Sequence, residues 1–135
     1  MKHLVAIIEK GEDGGYAIYS KDVDGLFGSG LTETEAKSDF CEVLEEQAEY
    51  YKEHHAHYPD WYRGGYEIEY RYDMSAFFLS FPFINVSEFA KAVGINSSLM
   101  RKYKSGLASA SEKQKNLIQE KFMEIVTQLE RVKFG

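Results

Sequence analysis

Residues 90–106 read AKAVGINSSLMRKYKSG, two short apolar-periodic segments on either side of one glycine. Upstream, Val86, Phe89, Ala90 and Val93 recur at spacings of three and four, which places them on one face of a helix. Ser87 is expected to cap that helix, and Gly94 to end it in the left-handed conformation that glycine adopts without a Cβ penalty. Ile95 follows as an apolar plug, and Asn96 or Ser97 can cap the next helix. In that second helix Met100 and Tyr103 face inward. Ser97, Ser98, Arg101, Lys102 and Lys104 then face outward. Ala90 is small where the two helices must approach closely. A plain αα-hairpin would satisfy the same spacing. A helix-turn-helix additionally needs a polar outer face on its second helix, aimed at base edges, and the basic side chains supply one.

The chain as a whole is acidic, with 22 Asp+Glu against 16 Lys+Arg and a net charge of −6 over 135 residues. That average hides a division. Residues 1–83 hold 7 Lys+Arg and 17 Asp+Glu, a net of −10, whereas residues 84–135 hold 9 and 5, a net of +4. Two surfaces with different partners are expected, the basic one suited to a polyanion. With 44% hydrophobic and 15% aromatic residues the chain can bury a core. No apolar run reaches the roughly 20 residues a membrane span needs, so no membrane partner is expected. The opening residues turn acidic too soon for a secretory signal, and a single cysteine, Cys41, permits no internal disulfide. A cytoplasmic location is the expectation.

Two parts follow from the patterning, residues 1–72 and 73–135. Residues 2–9 are aliphatic and β-branched and read as a buried strand, and Gly11–Gly15 as a turn. Tyr16, Ile18 and Ser20 alternate with Ala17, Tyr19 and Lys21, completing a hairpin. A short third strand is expected over residues 26–30. Thr32-Glu33-Thr34-Glu35 is a capping box, in which Glu35 is expected to return a hydrogen bond to the amide of Thr32. It opens a helix with Ala36, Phe40, Val43, Leu44 and Ala48 on one face, ending near Tyr51–His54. Tyr66, Ile68, Tyr70 and Tyr72 alternate with charged residues as a fourth strand. Residues 74–81 fit a strand or a helix capped by Asp73 or Ser75, and a helix is preferred. Ser111-Glu112-Lys113-Gln114 is a second capping box opening a long helix, with Leu117, Ile118, Phe122, Ile125, Val126, Leu129 and Val132 on one side.

The Ala90, Gly94 and Tyr103-Lys104-Ser105-Gly106 pattern resembles the lambda-repressor-like helix-turn-helix family (the xenobiotic-response-element type), over roughly residues 74–132. That resemblance implies that Asn96, Ser97, Ser98, Arg101 and Lys102 face the major groove, with Arg101 able to grip guanine O6 and N7. Lys91, Lys104, Lys113 and Lys115 are the candidates for phosphate contacts. One short recognition helix reads few base pairs, so a homodimer or higher homo-oligomer on a two-fold operator is expected.

In the front part Asp22, Gly25, Gly30, Thr32, Glu35 and Ala36 stand in a D-x-x-G-x-x-x-x-G-x-T-x-x-E-A run that resembles the HicB antitoxin family, over about residues 1–72. The chain departs from that pattern at Val23-Asp24, at Leu26-Phe27-Gly28 and in an aromatic insert, residues 54–65. The resemblance implies an α+β fold, a small partial RNase-H-like β-β-β-α-β domain followed by an all-α helix-turn-helix domain. It also implies a function: an antitoxin that binds a small basic HicA-like ribonuclease toxin and represses its own operon. A stand-alone transcriptional regulator, with a partner- or ligand-sensing front domain, is the alternative.

Enzyme readings are weaker. A two-metal nuclease needs convergent carboxylates, yet Asp22 and Asp24 occupy a turn where Asp is wanted for backbone reasons. His54, His55, His57 and Asp60 could bind zinc or nickel, but read better as polar residues at a helix end. Trp61, Tyr58 and Tyr62 fit either a cover for the sheet edge or a surface that docks a partner, and the cover is preferred. Cys41 is expected to be a buried hydrophobe, since no base can be assigned to it. No catalytic residue, metal ligand or cofactor is therefore assigned.

Overall fold

The computed structural model describes residues 2–54 and 56–135, and shows a mixed α+β protein. Its first strand, β1 (Lys2–Lys10), is followed by β2 (Tyr16–Ser20), β3 (Phe27–Gly30), helix α1 (Glu33–Glu53) and strand β4 (Tyr66–Tyr72). The strands form one sheet of order β3-β2-β1-β4. β1 pairs antiparallel with β2 and parallel with β4, and β2 pairs antiparallel with β3. The parallel pair requires a crossover, and α1 is that crossover. Alternation decides which face α1 covers: Leu4, Ala6 and Ile8 of β1 are buried with Ala36, Phe40, Leu44 and Ala48 of α1.

Two compact units result, Met1–Ala76 and Phe77–Gly135. The division falls inside α2 (Met74–Ser80), a few residues beyond the 72/73 step in patterning. Backbone hydrogen bonding explains why the first unit runs past Tyr72: Asp73 N donates to Ile8 O at 2.8 Å, and Lys10 N donates to Ser75 Oγ at 3.0 Å. Residues 74–80 form the preferred helix, and Asp73 Oδ2 accepts from Ser75 N at 3.1 Å at its start.

Polar side chains finish the sheet where backbone partners run out. Asp22 Oδ2 accepts from Val5 N at 2.7 Å, and Ser20 Oγ donates to Val5 O at 3.0 Å. Asp22 thus extends the β1–β2 ladder past the end of β2. At the helix start Thr32 Oγ1 accepts from Glu35 N at 3.1 Å, as the capping box requires. The return bond differs from expectation: Glu35 Oε2 takes the amide of Leu31, at 3.1 Å, not that of Thr32. The carboxylate reaches one residue further and ties the end of β3 to α1. Gly28 and Gly30 let the two elements meet, because a Cβ on Gly28 would stand 2.6 Å from Phe40 Cα and one on Gly30 2.6 Å from Ala36 N.

The insert closes one end of this unit. Trp61 and Tyr62 are buried, Trp61 packs edge-on against Tyr66 of β4 with centroids 5.3 Å apart, and Tyr62 Oη donates to Tyr51 O. Tyr58 stacks on Tyr51 at 4.4 Å while staying exposed.

The second unit is helical: the end of α2, then α3 (Val86–Val93), α4 (Ser97–Ser105) and α5 (Glu112–Leu129). Asn85, not Ser87, caps α3, its Oδ1 accepting from Glu88 N at 2.9 Å. An Asn immediately before a periodic run caps as well as Ser, and the helix begins two residues earlier than a Ser87 cap would have it. Asn85→Ala is therefore expected to cost about 1 kcal/mol, with Ser87→Ala costing clearly less; urea denaturation of the two variants checks the order. Ser111 caps α5, accepting from Gln114 N at 3.2 Å. The long apolar face of α5 is only partly covered. Ile118 is buried and Phe122, Ile125 and Val126 are half-buried, but Leu129 is 62% exposed. The helix ends at Leu129, so Val132 lies beyond it, 53% exposed.

Candidate functional site

The site is the connection between α3 and α4 together with the outer face of α4. Gly94 takes φ 78°, the left-handed conformation. Ile95 N donates to Ala90 O at 2.9 Å, and Gly94 N to Lys91 O at 3.3 Å. These two bonds make a Schellman motif, with Ile95 buried as its apolar contact. A side chain at position 94 would meet nothing within 4 Å, so the requirement for glycine is conformational, not steric. Asn96 then caps α4, its Oδ1 accepting from Ser98 N at 2.9 Å and Leu99 N at 3.3 Å. The chain therefore turns in three residues between the two helices. Ala90 is fully buried, as close helix approach demands.

Met100 and Tyr103 are buried and fix the rotation of α4. Ser98, Arg101, Lys102 and Ser105 recur at i, i+3, i+4 and i+7 on the opposite face, all exposed. Ser97 is half-buried at the helix start, and Lys104 is exposed to one side. Arg101 is braced across the pair: one guanidinium nitrogen donates to Ser87 Oγ of α3 at 3.3 Å and the other to Ser98 Oγ of α4 at 3.2 Å. Ser87, read as a cap in the sequence, thus positions an arginine 14 residues away. No linear signal carries that link, because it depends on the angle the Schellman turn imposes. Both acceptors are neutral hydroxyls, Ser98 exposed and Ser87 half-buried, so the guanidinium is oriented while keeping further donors for a ligand.

Among the described residues no carboxylate stands within ion-pair distance of Arg101, Lys102, Lys104 or Lys113. Lys91 and Lys115 differ. Lys91 pairs with Glu88 at 3.5 Å and Lys115 with Glu112 at 3.3 Å, both on exposed single-helix turns. Such pairs are worth only about 0.3–0.5 kcal/mol, so a phosphate can compete for these lysines. The arrangement offers an uncompensated cationic face with one pre-oriented, bidentate-capable group. That chemistry suits phosphate and base-edge acceptors.

In the first unit Glu9 and Asp73 lie near each other, and burial first and the Asp73 charge second push the Glu9 carboxyl above its ordinary range. Asp22 is engaged by the Val5 amide, and Glu35 by the Leu31 amide. Among the described residues no three His, Cys, Asp or Glu side chains are grouped as metal ligands would be. Of the histidine segment, His55 lies outside the described residues. His54 stacks on Tyr50 at 4.3 Å with its Nδ1 3.0 Å from Tyr50 O, and Asp60 pairs with Lys2 at 4.0 Å. Cys41 is half-buried, more open than expected, with its Sγ 3.4 Å from Tyr70 Oη. Burial first, and that contact second, push the Tyr70 phenol above its ordinary value, so it stays protonated at neutral pH. No helix among the described residues is long and apolar enough to cross a membrane. No protein-family model, no curated protein and no solved structure matches this chain.

Proposed function

We propose that the chain is a two-part antitoxin and autorepressor: the first unit receives a small basic ribonuclease toxin of the HicA kind, and the second binds operator DNA as a helix-turn-helix. The observation that carries this reading is the coincidence of charge with architecture. Unit Met1–Ala76 holds 7 Lys+Arg and 17 Asp+Glu, a net of −10, and unit Phe77–Gly135 holds 9 and 5, a net of +4. A single-purpose protein has no need to segregate its charge along a domain boundary. Opposite potentials on two units suit two oppositely charged partners, because complementarity accelerates and selects encounters while like charge excludes the wrong one.

The second unit's role is supported by the braced Arg101 and the open Lys102 on the exposed face of α4, which a major groove can accept. Asn96, spent on the cap of α4, contributes as a positioning residue, its side-chain oxygen already engaged by two amides. The first unit's role is supported by the resemblance of its Asp22–Ala36 run and by its acidic surface. Its α+β sheet with one crossover helix is compatible with the partial RNase-H-like plan.

Fluorescence anisotropy with the DNA upstream of its own gene tests the repressor half. Binding stronger than to scrambled DNA by about 10³-fold or more, and falling steeply with salt, is expected. Equal affinity for both sequences would remove the operator reading.

A further inference from the structure

We infer that the outer edge of β4 is a docking site for an extended, basic segment of a partner protein, which joins the four-stranded sheet as a further strand. Hydrogen bonding fixes which way β4 points its backbone. Gly65 O accepts from Lys2 N at 3.3 Å, and Asp73 N donates to Ile8 O at 2.8 Å. The N–H and C=O of one strand residue lie on the same side, and that side alternates along the chain. The odd-numbered residues of β4 therefore face β1, and Ile68, Tyr70 and Tyr72 turn their N–H and C=O outward. Tyr66 does so too, but Trp61 of the insert packs edge-on against its ring, so the open length is residues 67–72. Along it Glu67, Glu69, Arg71 and Tyr72 are exposed.

The opposite edge of the sheet is closed. Ser29 N, on the outer side of β3, donates to Asp39 Oδ2 at 2.9 Å, and Leu31 N just beyond donates to Glu35 Oε2. Two carboxylates of α1 thus occupy the amides that another strand would need. Among the described residues no side chain caps the outward amides of β4 in that way. An uncapped edge of this length is a template for strand addition.

Charge selects the occupant. Three cations border β4, and each is already matched: Lys37 by Glu33 at 3.5 Å, Lys52 by Glu49 at 3.1 Å and Arg71 by Glu69 at 3.2 Å. Glu45 of α1 has no ion-pair partner among the described residues, and Glu67 meets only His3, at 3.5 Å. The border is therefore acidic in sum. A second copy would bring two units of net −10 together, whereas a basic segment is drawn in. An added strand sets one row of side chains beside Glu67 and Glu69 and the other beside the rings of Tyr70 and Tyr72. The segment that fits alternates Lys or Arg with β-branched residues. The inference rests on reading the first unit as the receptor of a basic protein, and it adds where and how that protein is held.

The probe is a seven-residue peptide of alternating arginine and valine, with a glutamate–valine peptide beside it, added at millimolar concentration to the full chain. Amide hydrogen exchange is followed by NMR. The arginine peptide is expected to slow exchange at Ile68, Tyr70 and Tyr72, while Glu67, Glu69 and Arg71, already bonded to β1, change little. The glutamate peptide should leave all six as they were. Ile68→Pro removes an outward N–H without touching the β1 ladder and should weaken peptide binding about tenfold. Glu67→Lys with Glu69→Lys, both exposed, should weaken it as much at low salt. Glu12→Lys with Asp13→Lys, the same charge change in an exposed turn, should have a far smaller effect. Absence of slowed exchange at the three amides overturns the inference. Equal binding of both peptides does so as well. Protection of the three amides in a dimer without peptide also overturns it, because a second copy then holds the edge. If a basic protein co-purifies undiminished with both the Pro and the double Lys variants, the edge is not its site and the antitoxin reading stands. If the arginine peptide protects the edge but no basic protein co-purifies with wild type, the edge stands and that reading falls.

Discussion

Arg101→Ala with Lys102→Ala is expected to weaken operator binding by about 100-fold or more per site while leaving the fold intact. A bidentate contact from an arginine or a lysine to a base edge is worth about 1–3 kcal/mol, and removing cations from the groove also lowers the salt slope. Together about 3 kcal/mol is at stake, or two powers of ten in affinity. Neither side chain supports the core: both are exposed, and Met100 and Tyr103 on the other side hold α4 in place. Stability should therefore change by no more than about 0.5 kcal/mol. Ser87→Ala gives a finer reading. It removes one of the two braces on Arg101 without touching the Asn85 cap, so affinity should fall severalfold with the salt slope unchanged. Anisotropy titrations across a range of salt measure all three variants. An unchanged affinity and salt slope in the double variant would show that α4 does not face DNA.

The largest effect on stability is expected at Gly28. Its Cα faces the backbone of α1, and a methyl there would stand 2.6 Å from the Cα, Cβ and N of Phe40, itself 1% exposed. Backbone cannot swing aside as a flexible side chain does. Either β3 leaves the sheet or α1 lifts, drawing its own Phe40 and Leu44 away from the buried strand side chains. Overpacking a tight core costs about 1–3 kcal/mol, and Gly28→Ala belongs at the upper end because the obstacle is helix main chain. Trp61 is the only tryptophan and is buried in the same unit, so its fluorescence reports this unit during urea denaturation. Gly14→Ala is the comparison. Gly14 has φ 96° with nothing within 4 Å of the added methyl, so only conformational strain of about 1 kcal/mol applies. Equal losses at the two positions would mean that β3 and α1 do not meet as described.

Much of this architecture was legible from local patterns because local physics dominates those features. Alternation marked the strands, the Thr32 and Ser111 boxes marked two helix starts, and Gly94 marked a helix end whose φ is indeed positive. Met100 and Tyr103 were identifiable as inward-facing from spacing alone. What escaped depends on contacts distant in sequence or on exact register. The parallel pairing of β1 with β4 and the Asp22–Val5 bond join residues far apart. Gly28 has an ordinary φ, so nothing in its neighbourhood announces that α1 lies against it. The cap of α3 shifted from Ser87 to Asn85 because two good caps lie two residues apart and only the backbone chooses. Periodicity ran on through Leu129 to Val132, but it cannot tell a face buried within the chain from one left exposed.

The most direct measurement is co-expression: the tagged chain is produced from its own genomic segment, with the reading frames that flank its gene, and the mass of what elutes is determined. The account predicts a small basic protein in fixed stoichiometry, toxic when expressed alone and harmless with this chain. It further predicts that Arg101→Ala with Lys102→Ala leaves that complex intact, because the acidic unit holds the partner. Elution of this chain alone, with no relief of any toxicity, would contradict the antitoxin role and leave a stand-alone DNA-binding regulator.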